Sequence, residues 1–481
     1  MANISLRSFI DIIDQQGLLQ RVQRSVDRAW EPATLAKWVF QGLPDDKRFG
    51  LLFEKVAGSK FRFATGLIGA STASYAAAMG VKPNEINQKW VDALLKPIPP
   101  VTVTKAPCQE NVLVGAEVKL SDLPIPTWTP GKDVAPYITN PVITKNADTG
   151  IQNVGVYRTQ VLDEQRIVIN LNPAGQGTRN SRTYTDKGKP APIAWVIGGD
   201  PAMLLAATAK LPYGVNEAEA AGGLAGEPIP FVKAKTIDLM VPANAEFIIE
   251  GEIEPGVSLP EGPFGEFAGY MGGVAPRPVA RITAITHRNE AIYYGFTSQM
   301  PPSESTIMQS LTNAGVILKQ LRYDLGEYTV TDAWIDLNYG GAMGHAIIAM
   351  DPRDAAHSKR VGVLLATMTS LKRVTVVDSD VDIRDPEHMD WALNARFDPG
   401  NDLVVLHGEG QFAHMDSSVR TVNGRPAPAS KIVIDATKKM DTGPFSLPDK
   451  AYMDKGLALW KELGLPELDP PKRALYRIAQ S

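Results

Sequence analysis

The pattern of apolar and polar positions changes twice along the chain, and each change predicts a different arrangement of helices and strands. Over residues 1–100, apolar spacing typical of helices alternates with short apolar runs. Prolines at 96–100 favour extended backbone and indicate a linker. The predicted elements are a helix from Leu6 capped by Ser5, a strand at Leu51–Phe53, and helices over Ser71–Met79 and Asn84–Leu95.

From 101 to about 300 the apolar runs become short, and Gly and Pro residues separate them. Many short strands with turn residues between them are typical of a barrel. One helix, near 202–210, interrupts the pattern. The predicted strands are Val101–Thr104, Asn111–Val114, Arg166–Asn170, Ala194–Ile197, Phe247–Ile253, Ala280–Thr286 and Ala291–Gly295.

From about 303 onward the pattern predicts alternating helices and strands. The segment Ser305–Leu321 predicts a long helix that joins two domains. Strands at Ala346–Ala349 and Arg373–Asp378 flank a helix over Ala355–Leu371, and Pro386–Arg396 predicts another helix with proline in its first turn. This alternation indicates an α/β domain. The predicted divisions are 1–100, 101–303, the linking helix 304–322, and 323–481.

Composition and charge narrow the class of protein. The chain has 481 residues and a net charge of −4, which argues against a general binder of nucleic acid or anionic membrane. A single cysteine, Cys108, excludes an intramolecular disulfide, and the six histidines form no H-x-x-x-H pair of a zincin-type site. The N-terminal apolar run carries Arg7, Asp11 and Asp14, unlike a signal peptide. We expect a soluble, cytoplasmic protein.

The candidate chemistry begins with Glu261-Gly-Pro-Phe-Gly-Glu266, which places two carboxylates five residues apart. The Gly and Pro residues between them disfavour a regular helix, so a tight loop sets where the two acids point. Two carboxylates that a loop brings close cannot both ionise freely, and one can stay protonated near neutral pH. The motif therefore indicates a general acid, with a solvated surface turn as the alternative.

Arg158 could complete such a pair from the motif Asn153-Val-Gly-Val-Tyr-Arg158. In an extended segment, Asn153, Gly155 and Tyr157 share one face, and Arg158 lies on the other. A bulge or twist is therefore needed before Asn153 and Arg158 can serve one pocket. An arginine beside two glutamates would lower the pKa of one carboxylate and leave its neighbour to hold a proton. The alternative is an edge strand with a solvated arginine.

Two segments suit a phosphate. The Gly-rich loop 172–182 contains Thr178 and Arg179, and exposed amide groups beside guanidinium groups suit a phosphate, although such loops are commonly only turns. Lys431, just before an apolar strand, is the candidate in the last domain to reach a phosphate from across a cleft.

Oxygen ligands for a cation come from Asn153 and Glu217, which suit Mg²⁺ or Mn²⁺ bridged to a phosphate. Glu217 equally suits the first turn of a helix, where the helix dipole favours an acid. Of the histidines, His345 is predicted to be a satisfied core or interface residue, and His414 lies in a polar loop that could line a pocket.

Taken together, these segments resemble the UbiD-like family of prenylated-FMN-dependent (de)carboxylases over nearly the whole chain. Any one motif is modest evidence, and their order and spacing carry the resemblance. The motifs are Leu6-Arg-Ser-Phe-Ile10, Asn153-x4-Arg158, Gly198-Gly-Asp-Pro-Ala-Met-Leu-Leu-Ala-Ala207, Pro212-Tyr-Gly-Val-Asn-Glu217, Val241-Pro-Ala-Asn-Ala-Glu246-x3-Glu250-Gly-Glu252, Glu261-Gly-Pro-Phe-Gly-Glu266 and Val376-Val-Asp-Ser-Asp380. The resemblance implies a central split β-barrel that binds the flavin, a long helix, and a C-terminal α/β domain that oligomerises, with an active-site cleft between them.

The resemblance also implies roles for residues. The family's catalytic Arg-Glu-Glu triad and its metal-binding Asn and Glu map, in that order, onto Arg158, Glu261, Glu266, Asn153 and Glu217. The family's metal-binding His falls, within one position, on Gln176, whose amide oxygen is an acceptable ligand for a hard cation. The cofactor-binding residues that follow are Asn153, Gln176, Thr178, Arg179 and Lys431.

The implied reaction is reversible non-oxidative decarboxylation of an aromatic or heteroaromatic carboxylic acid. It would proceed through a covalent adduct with prenylated FMN, with Glu266 as the proton donor and with Phe267 and the loop 411–415 near the ring. None of the side chains in these motifs is an electron sink, so a cofactor must take that part. Mn²⁺ or Mg²⁺ would bridge to the cofactor phosphate, with K⁺ nearby.

The implied partners are a flavin prenyltransferase, which supplies the cofactor, and further copies of the chain in a dimer or hexamer. The Pro-rich, charged tail 465–481 is predicted to pack on a partner subunit. Two alternatives stay open: an FMN-dependent oxidoreductase with unmodified flavin, and a non-catalytic assembly subunit.

Overall fold

The computed structural model of the chain describes residues 4–172, 175–211, 215–338, 341, 344–410, 417–422, 425–441 and 443–480. Its contacts divide the chain into two compact units. The first unit contains Met1–Val316 and Leu337–Gly341, and the second contains Ile317–Asp336 and Ala342–Ser481.

The first unit combines short helices with many strands. In chain order, its helices are α1 (Leu6–Gln15), α2 (Glu31–Gly42), α3 (Thr72–Met79), α4 (Ile86–Leu95), α5 (Gln176–Thr185), α6 (Pro201–Thr208), α7 (Glu217–Ala225) and α8 (Glu304–Lys319), the last of which continues into the second unit. Its strands are β1 (Leu19–Val26), β2 (Gly50–Val56), β3 (Arg62–Thr65), β4 (Val101–Thr102), β5 (Asn111–Val114), β6 (Tyr137–Ile138), β7 (Pro141–Lys145), β8 (Gln152–Val156), β9 (Thr159–Val161), β10 (Arg166–Ile169), β11 (Ala191–Ile197), β12 (Pro230–Lys233), β13 (Met240–Pro242), β14 (Phe247–Glu261), β15 (Phe264–Gly265), β16 (Met271–Gly272), β17 (Ala275–His287) and β18 (Ile292–Tyr294). The predicted N-cap is confirmed, because the Ser5 side chain accepts a hydrogen bond from the Ser8 amide.

A nine-stranded antiparallel sheet dominates the first unit. Its strand order is β6-β9-β10-β17-β14-β11-β7-β8, and β5 pairs with the C-terminal part of β17. The predicted barrel is confirmed as a curled half-barrel sheet, with side chains such as Trp195, Phe247 and Ile285 in its core. A four-stranded sheet, β1-β2-β3-β18, joins the N-terminal strands to a strand at 292–294.

Strand β14 is longer than predicted, because its turn residues form a bulge and do not end the strand. The prediction ended at Ile253, before Pro255 and Gly256, yet pairing with β17 resumes at Ser258 and reaches Glu261. Gly256 adopts a left-handed conformation with φ of 73°, which glycine tolerates without strain. The strand therefore delivers Glu261 from the end of a continuous sheet, where the prediction had placed it in a loop.

The second unit is the predicted α/β domain. Its helices are α9 (His357–Met368), α10 (Pro386–Arg396), α11 (Pro399–Asp402), α12 (Lys450–Glu462) and α13 (Lys472–Ala479). Its strands are β19 (Val330–Ile335), β20 (His345–Met350), β21 (Arg373–Asp378), β22 (Leu403–Gly410), β23 (Thr421–Val422), β24 (Arg425–Pro426) and β25 (Ala429–Ala436). The main sheet has the order β19-β20-β21-β25-β22, in which β20, β21 and β25 are parallel.

The C-terminal helix α13 packs on its own unit. The Tyr476 hydroxyl donates to the Ser379 carbonyl at 2.9 Å, and the Arg477 guanidinium lies 4.6 Å from the centre of the Trp391 ring. Within the part of the chain that the structure describes, no helix is both long and apolar enough to cross a membrane.

Candidate active site

The two carboxylates of the Glu261–Glu266 motif lie at the ends of two strands that follow each other in the chain. Glu261 is the last residue of β14, and Glu266 follows the short strand β15, which pairs with β16. Gly262 makes the corner between the strands at φ of 97°, and a Cβ atom there would lie 2.6 Å from the Gly273 carbonyl oxygen. The Glu266 amide donates to the Tyr270 carbonyl at 2.8 Å, which closes the hairpin.

Arg158 contacts both carboxylates. It can do so because the chain leaves the extended conformation between Asn153 and Arg158, as the sequence analysis required. Strand β8 ends at Val156 and β9 begins at Thr159, so Tyr157 and Arg158 lie in an irregular step. The Arg158 Nε and Nη2 atoms donate to the two carboxylate oxygens of Glu261 at 2.9 and 2.8 Å. Its Nη1 atom donates to Glu266 Oε1. All three members of the predicted triad therefore converge.

The triad is buried and its two acids are unequal. The side chains of Arg158 and Glu266 are 11% and 10% exposed, and that of Glu261 is 1% exposed. Glu261 engages both of its oxygens in a bidentate pair, which is the stronger and more directional arrangement. Glu266 receives its guanidinium contact at one oxygen and is the more exposed acid. The guanidinium therefore engages both oxygens of Glu261 and Oε1 of Glu266.

Two aromatic rings and a side-chain amide support the triad. Phe264 lies inside the Glu261–Glu266 motif, whereas Tyr137 and Gln160 were not candidates from the sequence. The Phe264 ring lies 5.4 Å from the Arg158 guanidinium and 4.3 Å from the Tyr137 ring. The side-chain Oε1 atom of Gln160 accepts from the Tyr137 hydroxyl and from the Gly262 amide, each at 3.0 Å. Burial, reinforced by the charge of Glu261, raises the pKa of Tyr137 and keeps its hydroxyl protonated.

A second cluster forms around Asn153 and Glu217. The Asn153 Nδ2 atom donates to Glu217 Oε1 at 3.1 Å, and the Val154 amide donates to Glu217 Oε2 at 3.2 Å. Glu217 opens α7, where the Asn216 side chain caps the helix. Burial raises the pKa of Glu217, while backbone amides and the Asn153 side chain lower it. A cation bound there would offset the cost of burying this carboxylate.

Tyr157 connects this cluster to the N-terminus of α5. Its hydroxyl lies 3.5 Å from Asn153 Oδ1 and accepts from the Gly177 amide at 3.3 Å. A Cβ atom at Gly155 or at Gly177 would lie 2.9 Å from this hydroxyl, so two glycines leave room for the ring. The start of α5 at Gln176 therefore lies beside Asn153.

The donor set near Asn153 fits a hard cation and a phosphate. Gln176 is half-buried, the Thr178 hydroxyl donates to the Asn172 carbonyl at 2.6 Å, and Arg179 is exposed. A helix N-terminus presents free amide N–H groups to an anion. Across the described residues, no three His, Cys, Asp or Glu side chains converge on one metal position. A cation held here would therefore depend on one carboxylate and on amide oxygens.

Lys431 has contacts that differ from its predicted role. Its side chain is buried, and its ammonium donates to the carbonyls of Ala366 and Thr369 at the end of α9. A cation beside the last carbonyls of a helix stabilises that helix. A phosphate would have to replace these partners, so the described contacts support a structural role, and phosphate binding by Lys431 stays a prediction.

Of the two histidines considered in the sequence analysis, His345 lies in the described part of the chain and His414 does not. His345 Nε2 lies 2.8 Å from the Thr375 hydroxyl, and burial beside Arg373 lowers the pKa of His345 to about 3. These contacts are those of a satisfied structural histidine. His414 and the predicted substrate loop 411–415 lie outside the described residues.

Comparisons with known proteins identify the family of this chain. Residues 10–94, 100–301 and 306–436 match the N-terminal, Rift-related and C-terminal domains of the 3-octaprenyl-4-hydroxybenzoate carboxy-lyase, UbiD. An uncharacterised protein from Synechocystis is 32% identical over 501 residues, covering 96% of this chain and 97% of the relative.

Solved structures of UbiD-class enzymes share the fold. An evolved dimeric form of HmfF from Pelotomaculum thermopropionicum, in complex with prFMN, aligns with a TM-score of 0.82 at 33% identity, over 94% of this chain and 98% of that one. The vanillic acid decarboxylase of Sedimentibacter hydroxybenzoicus in its closed form aligns with a TM-score of 0.83 at 29% identity, over 96% of this chain and 100% of that one. The predicted family and the predicted carboxy-lyase class are confirmed: this chain belongs to the UbiD family of carboxy-lyases.

Proposed function

We propose that this protein decarboxylates an aromatic or heteroaromatic carboxylic acid with prenylated FMN as its cofactor and Glu266 as its proton donor. The observation that carries the proposal is the buried triad, in which Arg158 holds Glu261 through two hydrogen bonds and Glu266 through one. The similar solved structures include an enzyme in complex with prFMN and a vanillic acid decarboxylase.

The reaction exchanges a carboxylate for a proton at one ring carbon. The carbon–carboxylate bond breaks, CO₂ leaves without the bonding electron pair, and a proton must reach the ring carbon. Prenylated FMN, when bound, supplies the electron sink that the side chains lack. Glu266 delivers the proton, and a well-placed general acid typically contributes a factor of about 10²–10⁴ in rate.

The other two members of the triad would prepare Glu266 for this step. After proton transfer Glu266 is a carboxylate, and the Arg158 guanidinium beside it stabilises that charge. Glu261 fixes the guanidinium from the other side and keeps its Nη1 atom directed at Glu266. The low exposure of all three side chains excludes bulk water, which strengthens these electrostatic effects.

The residues around Asn153 would hold the cofactor phosphate. Mn²⁺ or Mg²⁺ would take oxygen ligands from Asn153, Glu217 and Gln176, and the N-terminus of α5, with Thr178 and Arg179, would face the phosphate. The burial of the Glu217 carboxylate favours a cation there. K⁺ belongs to the proposal through the family resemblance.

The proposal includes a homo-oligomer, a cytoplasmic location and a flavin prenyltransferase as the source of the cofactor. Helix α12 buries none of its side chains within its own chain, and Tyr452, Leu459 and Leu463 are each more than half exposed. Such an apolar surface is typical of a contact between subunits. A solved relative is an evolved dimeric form, and we propose a dimer or hexamer for this chain.

The test is a CO₂-release screen with holoenzyme made by co-expression with a flavin prenyltransferase. The panel would contain benzoates and indole, pyrrole and furan carboxylates. We expect CO₂ from at least one acid, and loss of release in Glu266→Gln with cofactor absorbance retained. The surface substitution Glu117→Gln is the matched control and should leave turnover unchanged.

Three results would contradict the proposal. Turnover at the wild-type rate in Glu266→Gln would refute the proton-donor role. Activity without the prenyltransferase, together with an oxidoreductase reaction, would favour unmodified FMN. No CO₂ from any acid in a broad panel would favour a non-catalytic assembly subunit.

A further inference from the structure

Gln299 adopts a backbone conformation that its residue type disfavours. Its φ is 104°, in the region that usually requires glycine, and its side chain is buried. A bulky residue remains there only when the surrounding structure determines its position. The contacts of the Gln299 side chain therefore indicate what keeps it there.

The amide of Gln299 bridges two segments that are distant in the sequence. Its Nε2 atom donates to the Thr129 hydroxyl at 2.7 Å, and its Oε1 atom accepts from the Thr297 hydroxyl at 3.1 Å. Thr129 is fixed in turn, because its amide donates to the Asp133 carboxylate at 2.6 Å. Both polar groups of the Gln299 amide are satisfied, and the bridge is part of a continuous network.

This bridge lies directly against the backbone that carries Glu266. A Cβ atom at Gly265 would lie 2.6 Å from Gln299 Cγ and 2.7 Å from Thr129 Oγ1. Gly265 immediately precedes Glu266. The bridge therefore limits how far β15 can move away from Arg158. On the side-chain face, a Cβ atom at Gly272 would lie 3.0 Å from Glu266 Oε1. The segment is therefore confined from both sides.

The chain after Gln299 is also anchored. The Gln41 side chain donates to the carbonyls of Met300 and Pro302, each at 3.1 Å. A Cβ atom at Gly269, in the Glu266 hairpin, would lie 2.8 Å from Met300 Sδ. The residues on both sides of the bridge therefore contact the same hairpin.

We propose that Gln299 is a positioning residue for the reaction: its hydrogen bond to Thr129 holds the Gly265 backbone, and through it the Glu266 carboxyl, against Arg158. The inference rests on the proposed role of Glu266 as the proton donor. It adds a residue that touches neither the carboxylates nor the guanidinium and acts only through the hairpin.

Gln299→Gly is the informative substitution, because glycine relieves the unfavourable φ while it removes the bridge and the side-chain atoms that pack on Gly265. If Gln299 had a purely structural role, the substitution would change Tm and leave kcat unchanged. We expect kcat to fall about 10-fold with KM within 2-fold of wild type, because the acid is displaced in the transition state. Wild-type kcat in Gln299→Gly would overturn the proposal.

Thr129 supplies a matched pair of variants. Thr129→Val removes the hydroxyl at nearly constant shape and should lower kcat as Gln299→Gly does, whereas Thr129→Ser keeps the hydroxyl and should retain wild-type kcat. Because both residues act through one hydrogen bond, the Thr129→Val/Gln299→Gly double variant should lose no more than either single variant. Fully additive losses would contradict the bridge.

Hydrogen exchange of the hairpin tests the inference separately from the proposed function. In cofactor-free protein, peptides covering 264–272 should exchange faster in Gln299→Gly and in Thr129→Val than in wild type or Thr129→Ser. If no acid releases CO₂, this measurement alone decides: faster exchange in those two variants supports the positioning role, and equal exchange in all four proteins overturns it.

Discussion

A methyl group at Gly272 should disturb Glu266, the proposed catalytic acid, without disturbing the fold. Strand β16 brings Gly272 beside the triad, where a Cβ atom would lie 3.0 Å from Glu266 Oε1 and 3.1 Å from Arg158 Nη1. Ordinary van der Waals contact begins at 3.4 Å, so these atoms must move by about 0.3–0.4 Å to admit the methyl group. The two atoms are hydrogen-bonded to each other, so the shift acts on the Arg158–Glu266 contact itself.

The size of the effect follows from that displacement. A misplacement of about 1 Å at a reacting group can cost about 10²-fold in rate, so about 0.4 Å corresponds to roughly a 5- to 10-fold loss. In free energy this is about 1–1.4 kcal/mol of transition-state stabilisation. We expect the loss in kcat, with KM within about 2-fold of wild type, because the substitution moves the acid and leaves substrate binding in place.

Gly273 provides the control at the next position. No atom lies within 4 Å of a Cβ atom built there, and neither glycine is in the left-handed region. The assay is CO₂ release by Gly272→Ala and Gly273→Ala holoenzymes, with Tm recorded for both. Gly273→Ala should match wild type within about 2-fold. Equal kcat values for the two variants would refute the reasoning, as would a Gly272→Ala variant that loses activity only by unfolding.

Three further predictions concern charge, metal and packing. Burial raises the pKa of Glu304 to about 7, so the folded state binds this proton more tightly than the unfolded state does. The protonated Glu304 therefore contributes its full stability below about pH 4.5, and this stability is lost as the pH rises through about 7. Tm should therefore fall less steeply with pH in Glu304→Gln than in wild type, and parallel Tm–pH curves would contradict this. Gln176→Ala should lower the amounts of Mn²⁺ and flavin bound to the holoenzyme, which elemental analysis and absorbance measure. Glu217→Ala is the positive control. Unchanged amounts of Mn²⁺ and flavin in Gln176→Ala would show that Gln176 is not a ligand of the site. Lys431→Met should lower Tm by about 5 °C through two lost charge-assisted hydrogen bonds and leave flavin content unchanged, whereas loss of flavin at constant Tm would restore the phosphate-binding prediction.

Periodicity predicted several of the longer helices and strands, because these elements bury one face locally. The strand at Arg373–Asp378 has the predicted bounds, and the helix predicted over 305–321 is α8, Glu304–Lys319. The errors lie at the ends, where local signals compete. The helix predicted from Asn84 begins at Ile86, because Pro83–Glu85 forms a 3-10 turn first.

The long-range part of the site was harder to predict. The motifs identified Arg158, Glu261 and Glu266, but the tyrosine, Tyr137, and the bridge at Gln299 lie in segments without a recognisable pattern. Their positions depend on which strands pair, and strand pairing is not encoded in local periodicity. Gln160 lies in β9, which begins directly after Arg158, so its closeness to Arg158 in the chain was the available signal.

The two carboxylates are attached to the fold in different ways, and this difference fits the roles proposed for them. Glu261 ends a fifteen-residue strand that pairs on both edges of its first half, so its position is set by the whole sheet. Glu266 lies in the loop of a hairpin of two-residue strands, which few backbone hydrogen bonds restrain. Proton transfer needs an acid whose carboxyl can reorient slightly and a partner that does not move. A rigid strand therefore suits the residue that fixes Arg158, and a short hairpin, confined by contacts at Gly265 and Gly272, suits the proposed proton donor.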